Sequence, residues 1–102
     1  MITEEQVLNA LRQVIDPELG INIVDLGLVY SVDIEENRVQ VAMTMTTPAC
    51  PLTGMLTNAA EAAIWQLVPE VESVHIRLVW EPPWNPGLIS EQGTLELGWV
   101  GA

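Results

Sequence analysis

The chain has no lysine, three arginines, one cysteine and one histidine among its 102 residues. Without lysine it lacks the phosphate-binding side chain of a P-loop and the amine of a Schiff-base enzyme, and it contains no G-x-G-x-x-G run. A single cysteine cannot form an internal disulfide, so the fold must depend on its hydrophobic core. One cysteine and one histidine leave a four-ligand zinc site incomplete unless carboxylates or a second chain contribute.

Acidic residues greatly outnumber basic ones. Fourteen Asp and Glu against three Arg give a formal net charge of −11, which repels a phosphate backbone, so we expect no direct nucleic-acid binding. The apolar runs are interrupted by charge or proline well before the length of a membrane span. The N-terminus lacks the basic and apolar regions of a secretory signal. These features predict no membrane insertion and a cytoplasmic location.

The first part of the chain carries the signals of one helix followed by turns. The length predicts a single domain, 1–102, and Thr3 and Gln6 have the spacing of a capping box. The dipeptide Asp16-Pro17 predicts the end of this helix, because proline disfavours helical backbone in the residue before it. The following segment, 16–27, is predicted to be a turn-rich connection.

Two alternating runs, 28–34 and 39–46, are joined by a polar turn and predict an antiparallel hairpin. Apolar residues at helical spacing then predict a second helix, and a further alternating run, 73–80, predicts a third strand. The pattern assigns residues to shared faces: Leu28, Tyr30, Val32 and Ile34 on the first strand, Thr44 and Thr46 on the polar face of the second, and Leu52, Met55, Leu56, Ala59, Ala60, Ala63, Ile64 and Leu67 on the helix.

The predicted fold is therefore a small α/β (α+β) domain of order α-β-β-α-β. A right-handed crossover makes the third strand parallel to the second, which gives a three-stranded mixed sheet covered by helices on one face. The Pro- and Trp-rich segment 80–90 is predicted to pack back on the domain, and Ser90 to cap a short helix through Leu97, ended by Gly98. The four tryptophans and Tyr30 are interpreted as core and tail anchors, with an exposed contact role for Trp84 as the alternative.

The only cysteine, Cys50, lies at the junction between the second predicted strand and the second helix, directly before Pro51. Backbone N–H groups and the helix dipole favour thiolate at such a helix start. Hydroxyls at Thr46, Thr47 and Thr53 indicate a polar pocket. The alternative is a small apolar residue buried at a helix start, and the net charge of −11 acts to raise a thiol pKa.

Asp16, Glu18 and Asp25 lie together in the turn-rich connection. Paired carboxylates suit acid–base chemistry, but capping and turn roles are favoured by their setting. His75 falls on the polar face of the third strand, where a surface role is favoured. A nucleophile pair of Cys50 and His75 is the alternative, without an identifiable orienting group.

Four ordered motifs carry a family resemblance across nearly the whole chain. They closely resemble the iron–sulfur cluster assembly domain family, which includes SufT-type bacterial maturation factors, cytosolic iron–sulfur targeting proteins of eukaryotes and PaaD-type oxygenase accessory proteins. The motifs are Asp16-Pro17-Glu18-Leu19-Gly20, then Asn22-Ile23-Val24-Asp25-Leu26-Gly27-Leu28-Val29-Tyr30, then Thr44-Met45-Thr46-Thr47-Pro48-Ala49-Cys50-Pro51, then Pro82-Pro83-Trp84 with Ile89-Ser90 and Leu97-Gly98.

The resemblance implies a non-enzymatic factor that assists the maturation of iron–sulfur proteins. It implies that Cys50 is the reactive or metal-contacting group, with Asp16, Glu18, Asp25 and Thr46 as the polar residues of the site. Four cysteine ligands are usual for a cluster, so iron or a cluster is expected only transiently and not stably on one chain. Expected partners are iron–sulfur assembly proteins and client apo-proteins, and the apolar tail is compatible with a homodimer.

Two departures from the family keep alternatives open. The chain carries no cysteine-rich tail of the PaaD type and no ATPase domain of the fused forms. One alternative function is an adaptor for a multicomponent oxygenase of the phenylacetate-degradation type, in which Cys50 is structural and the tail around Trp84 binds the partner. A thiol enzyme that uses Cys50 is a third.

Overall fold

The computed structural model of this chain describes residues 2–17, 19–46 and 53–97. No helix in those ranges is both long enough and apolar enough to cross a membrane. The elements in chain order are α1 (Glu4–Leu11), β1 (Ile15–Asp16), β2 (Ile21–Asn22), β3 (Val29–Glu35), β4 (Arg38–Met43), α2 (Thr53–Leu67), β5 (Ser73–Leu78), a 3-10 helix (Pro86–Leu88) and α3 (Glu91–Leu97).

Strands β3, β4 and β5 form a three-stranded mixed sheet with β4 in the centre. β3 runs antiparallel to β4, and β5 runs parallel to it. This confirms the predicted hairpin, the crossover through α2 and the mixed sheet. β1 and β2 add a short antiparallel ladder that the sequence analysis did not predict, with Ile15 opposite Asn22 and Asp16 opposite Ile21.

The core lies between one face of the sheet and the helices α1 and α2, which pack against that face. Alternation on β4 sends every second side chain into this layer, and helical spacing does the same on α1 and α2. Full burial of one such aliphatic side chain contributes about 1.5–3 kcal/mol. Side chains that are almost completely buried here are Val7, Leu11, Val39, Val41, Met43, Leu56, Ala60 and Ile64.

Helix α1 begins as predicted but ends earlier. Gln6 N donates to Thr3 Oγ1 at 3.1 Å and Thr3 N donates to Gln6 Oε1 at 2.9 Å, which confirms the capping box. The helix ends at Leu11. Arg12 N still donates to the carbonyl of Leu8, but the N–H groups of Gln13 and Val14 form tight i to i−3 bonds before the chain enters β1. Val14 still reaches the core, whereas Ile15 is 49 % exposed.

Strand β3 contains an irregularity that strict alternation could not show. Val29 pairs with Met43, but Ser31 pairs with Ala42, so one extra residue lies on β3. This bulge removes Tyr30 from the apolar face to which the pattern assigned it. Val29, Val32 and Ile34 pack against the core instead.

Helix α2 has a wider apolar stripe than the domain covers. Met55 is 50 % and Leu67 is 51 % exposed, so these two residues of the predicted apolar stripe lie on the surface and not in the core. Trp65 is also exposed, and it does not serve as a core anchor. The stripe spans more of the helix circumference than the sheet and α1 together can cover.

Candidate functional site

The loop between β2 and β3 is fixed by a reciprocal pair of hydrogen bonds. Asn22 Nδ2 donates to Asp25 Oδ2 at 2.7 Å, and Asp25 N donates to Asn22 Oδ1 at 2.9 Å. Both side chains are partly buried. An Asn and an Asp three residues apart can hold a turn in this way because their short side chains reach nearby backbone groups.

The same carboxylate joins this loop to the tail. Ser90 Oγ donates to Asp25 Oδ1 at 2.9 Å, and Ser90 N donates to the carbonyl of Asp25 at 2.7 Å. Ser90 Oγ also accepts from Gly93 N at 3.0 Å, which confirms Ser90 as the cap of α3. We call Asn22, Asp25 and Ser90 the loop–tail clasp.

Further contacts confirm that the tail packs back on the domain. Trp84 Nε1 donates to the carbonyl of Leu26 at 2.7 Å, and its ring packs against the core. Trp84 is therefore an anchor and not a free contact residue. The Tyr30 hydroxyl donates to the carbonyl of Pro82 at 2.7 Å, and burial raises the pKa of this phenol.

Gly27 allows the tail to approach closely. Its φ of +79° lies in the left-handed region, and a Cβ placed there would lie 2.7 Å from Leu88 Cβ. Only glycine fits both the backbone conformation and the space. The 3-10 helix can therefore lie directly against this loop.

The end of β4 leads toward the predicted cysteine site. Thr44 N donates to the carbonyl of Leu28 at 2.8 Å, so the strand end stays tied to the start of the hairpin. Thr46 is half-buried. The prediction that Thr44 lies on a polar face was wrong. Ala42 and Thr44 share that face near the end of the strand, and they are only 6 % and 0 % exposed. The hydroxyl of Thr44 is buried and has no hydrogen-bond partner among the described residues.

The remaining predicted site residues fall in different settings. Asp16 is 5 % exposed in β1, and its carbonyl accepts from Gly20 N at 2.7 Å across a tight turn. Glu18 and Cys50 lie outside the described residues. The metal-contacting role predicted for Cys50 and the cofactor-binding role predicted for Glu18 therefore stay predictions.

His75 lies on the uncovered face of the sheet, opposite Gln40 and three positions before the Leu78–Met43 pair that ends the ladder. Three strand residues span about 10 Å, so His75 lies about that far along β5 from the pair that ends the ladder. Among the described residues, no group of three or more His, Cys, Asp and Glu side chains could hold a metal ion. The described part of the candidate site is thus a set of hydrogen-bonded polar anchors and supplies no complete metal centre.

The fold and these motifs define a family. Residues 4–76 match the model of the iron–sulfur cluster assembly protein family. The chain belongs to this family, which confirms the resemblance stated above.

Similar proteins support the same class. The chain is 41 % identical over 96 residues to the Fe-S protein maturation auxiliary factor YitW of Bacillus subtilis, covering 93 % of each chain. It is 38 % identical to the Fe-S protein maturation auxiliary factor SufT of Staphylococcus aureus over 86 residues, which are 83 % of this chain and 97 % of that one. A crystal structure of a domain of unknown function from Bacillus anthracis superposes with a TM-score of 0.89 at 40 % identity, covering 93 % of this chain and 91 % of that one.

Proposed function

We propose that this chain is a non-enzymatic maturation factor that assists the delivery of iron–sulfur clusters to client apo-proteins. The observation that carries the proposal is the family membership, together with near full-length similarity to proteins named as Fe-S maturation auxiliary factors. The proposal treats residues 1–102 as one functional domain that acts in the cytoplasm. Its partners are iron–sulfur assembly proteins and clients.

In this proposal Cys50 contacts the iron or sulfide of the cargo as a thiolate. Thr46 follows β4 in the chain, before Cys50, and Asp16 and Glu18 contribute polar groups from the turn after α1. One thiolate is too few for a cluster, for which four cysteine ligands are usual. The cargo is therefore shared with a second chain or with the client and is held only transiently.

Asp25 has a positioning role in this proposal. Both of its carboxylate oxygens already accept hydrogen bonds, from Asn22 and from Ser90. A carboxylate engaged in this way is suited to hold the loop and the tail together. Each oxygen keeps a further acceptor site, so the cofactor-binding role predicted for Asp25 stays a prediction.

The oxygenase-adaptor alternative is not favoured. It required the tail around Trp84 to present a partner-binding surface. The indole is instead packed on the core and bonded to Leu26. The reported relatives also carry maturation names.

The proposal is tested by anaerobic incubation with ferrous iron and sulfide, followed by visible absorption and iron analysis of the wild type, Cys50→Ala and Cys50→Ser. We expect the wild type to acquire cluster absorption at fewer than one cluster per chain, and both variants to lose most of it. Transfer to an apo-ferredoxin, followed by its absorption, should fall in parallel.

The control is an unfolding curve for each variant, which should superpose on that of the wild type. Equal and negligible iron on all three proteins would exclude direct cargo contact by Cys50. A wild type that captures iron and transfers none would argue for storage over delivery.

A further inference from the structure

A groove runs along the seam between α1 and α2 on the outside of the domain. One part encloses 390 Å³ and the adjoining part 300 Å³, and Gln13 and Leu67 line both. The other lining residues are Gln6, Asn9, Ala10, Val14, Ile15, Met55, Leu56, Ala59, Ala62, Ala63 and Gln66.

The larger part of the groove is mainly apolar, and the smaller part is lined mostly by amide side chains. None of the described residues that line it carries a charge, although 17 % of the chain is charged. Three of the large apolar side chains that the domain leaves exposed line it: Ile15 at 49 %, Met55 at 50 % and Leu67 at 51 %. Exposed apolar side chains gathered in one concave site are typical of a binding surface.

The shape of the groove fits a helix. One wall is α2, and the other is α1 together with residues 13–15 that follow it. The small side chains of Ala59, Ala62 and Ala63 let a third helix pack at the usual axis separation of about 8–10 Å. α2 has 15 residues, about 22 Å of length, and α1 has 8 residues, about 12 Å, so the groove offers contact to about two turns of a bound helix. The amides of Gln13 and Gln66 offer hydrogen bonds to polar groups beside the apolar contact.

Charge decides between the occupants. A second copy would bring a net charge of −11 against a net charge of −11, and this repulsion opposes association. A helix with lysine or arginine beside its apolar stripe gains attraction from the same field. We propose that the α1/α2 groove binds an amphipathic, basic-flanked helix of a partner protein.

This binding site uses no residue assigned to cargo chemistry, so it stands or fails separately from the proposed function. The probes are two synthetic 18-residue helical peptides with the same leucine stripe, one flanked by lysine and one by glutamate. Titration into the isotope-labelled protein, followed by NMR, should give saturable shifts at Ala59, Ala62 and Leu67 with the lysine peptide. We expect the glutamate peptide to bind at least about tenfold more weakly at low salt, with the difference shrinking as salt is added.

Matched substitutions locate the site. Leu67→Gln and Met55→Gln should together weaken the lysine peptide about tenfold, because they remove the exposed apolar rim. Leu95→Gln on α3 is the control, since Leu95 is 53 % exposed and does not line the groove. All these side chains are half-exposed, so unfolding midpoints should stay near that of the wild type.

Four results would overturn the proposal. The first is no saturable binding of the lysine peptide, and the second is equal binding of the two peptides at low salt. The third is a dimer in sedimentation equilibrium that Met55→Gln dissociates, because it would assign the groove to a second copy. A loss of binding in Leu95→Gln as large as that in Leu67→Gln would also contradict it.

Discussion

The loop–tail clasp and the end of β4 differ in whether their polar side chains form hydrogen bonds. In the clasp, both carboxylate oxygens of Asp25 accept hydrogen bonds, one from Asn22 and one from Ser90. At the strand end, the hydroxyl of Thr44 is buried, and no residue in the described ranges bonds to it. A buried unpaired polar group costs about 1–3 kcal/mol, whereas a satisfied one is neutral or stabilising. The clasp therefore stabilises the folded domain. The Thr44 hydroxyl, at the strand end that leads to the predicted site, lowers its stability.

Such an exception has a functional meaning in many proteins. Native structures contain few buried polar groups without partners, and those few concentrate where stability and activity compete. The comparison predicts that substitutions in the clasp destabilise the domain and that removal of the Thr44 hydroxyl does the reverse.

The largest effect is expected where the tail meets the loop of the clasp. Gly27→Ala should lower the free energy of unfolding by about 3 kcal/mol or more. The added Cβ clashes with Leu88, and the backbone of residue 27 has the left-handed conformation that disfavours a Cβ. Urea unfolding measures this change. Gly20→Ala is the matched control: its φ is +72° but nothing lies within 4 Å of the added Cβ, so a loss of about 1 kcal/mol is expected. Equal losses would mean that the tail moves away from Gly27 at little cost.

The clasp itself should show coupling between residues distant in sequence. Asp25→Ala should destabilise by about 2 kcal/mol, since it leaves Asn22 and Ser90 without their shared acceptor. In a double-mutant cycle with Ser90→Ala, a coupling energy of about 1 kcal/mol or more is expected. Ser73→Ala, exposed on β5, replaces Ser90→Ala in a control cycle with no expected coupling. Additive effects in both cycles would show that the Asp25–Ser90 bond contributes nothing to the folded state.

The features that sequence predicted correctly are those set by local pattern. The capping box of Thr3 and Gln6, the antiparallel hairpin and the crossover through α2 follow from spacing and chain direction alone. The features it missed depend on an extra residue in a strand pairing, or on whether other parts of the fold cover a strand or helix face. The bulge beside Tyr30, the burial of Thr44 and the exposure of Met55 are of this second kind.

The same division applies to the candidate site. Ser90 was predicted as a helix cap from its own neighbourhood, and Asp25 was assigned a turn role from its neighbourhood. Asp25 and Ser90 are 65 positions apart in the sequence, and no local pattern predicts that they are in contact. Asn22 was missed, although its spacing of three residues from Asp25 is a usable signal for such a turn.

The smallest predicted effect is a gain. Thr44→Val keeps the shape of a side chain that is 0 % exposed and removes a hydroxyl to which none of the described residues bonds, so we expect unfolding to become less favourable by about 1 kcal/mol. Thr46→Val is the control, because Thr46 is only half-buried, so little change is expected.

Urea unfolding of the two valine variants distinguishes the two regions directly. A destabilised Thr44→Val would show that its hydroxyl gains a partner in solution, and the contrast with Asp25 would disappear. Stabilisation with full iron capture in the anaerobic assay would make the unpaired hydroxyl a packing defect without function. Stabilisation together with reduced iron capture would instead show that the strand end keeps this hydroxyl for the cargo site, because a hydrophobic replacement of equal shape can fail only in what the hydroxyl does.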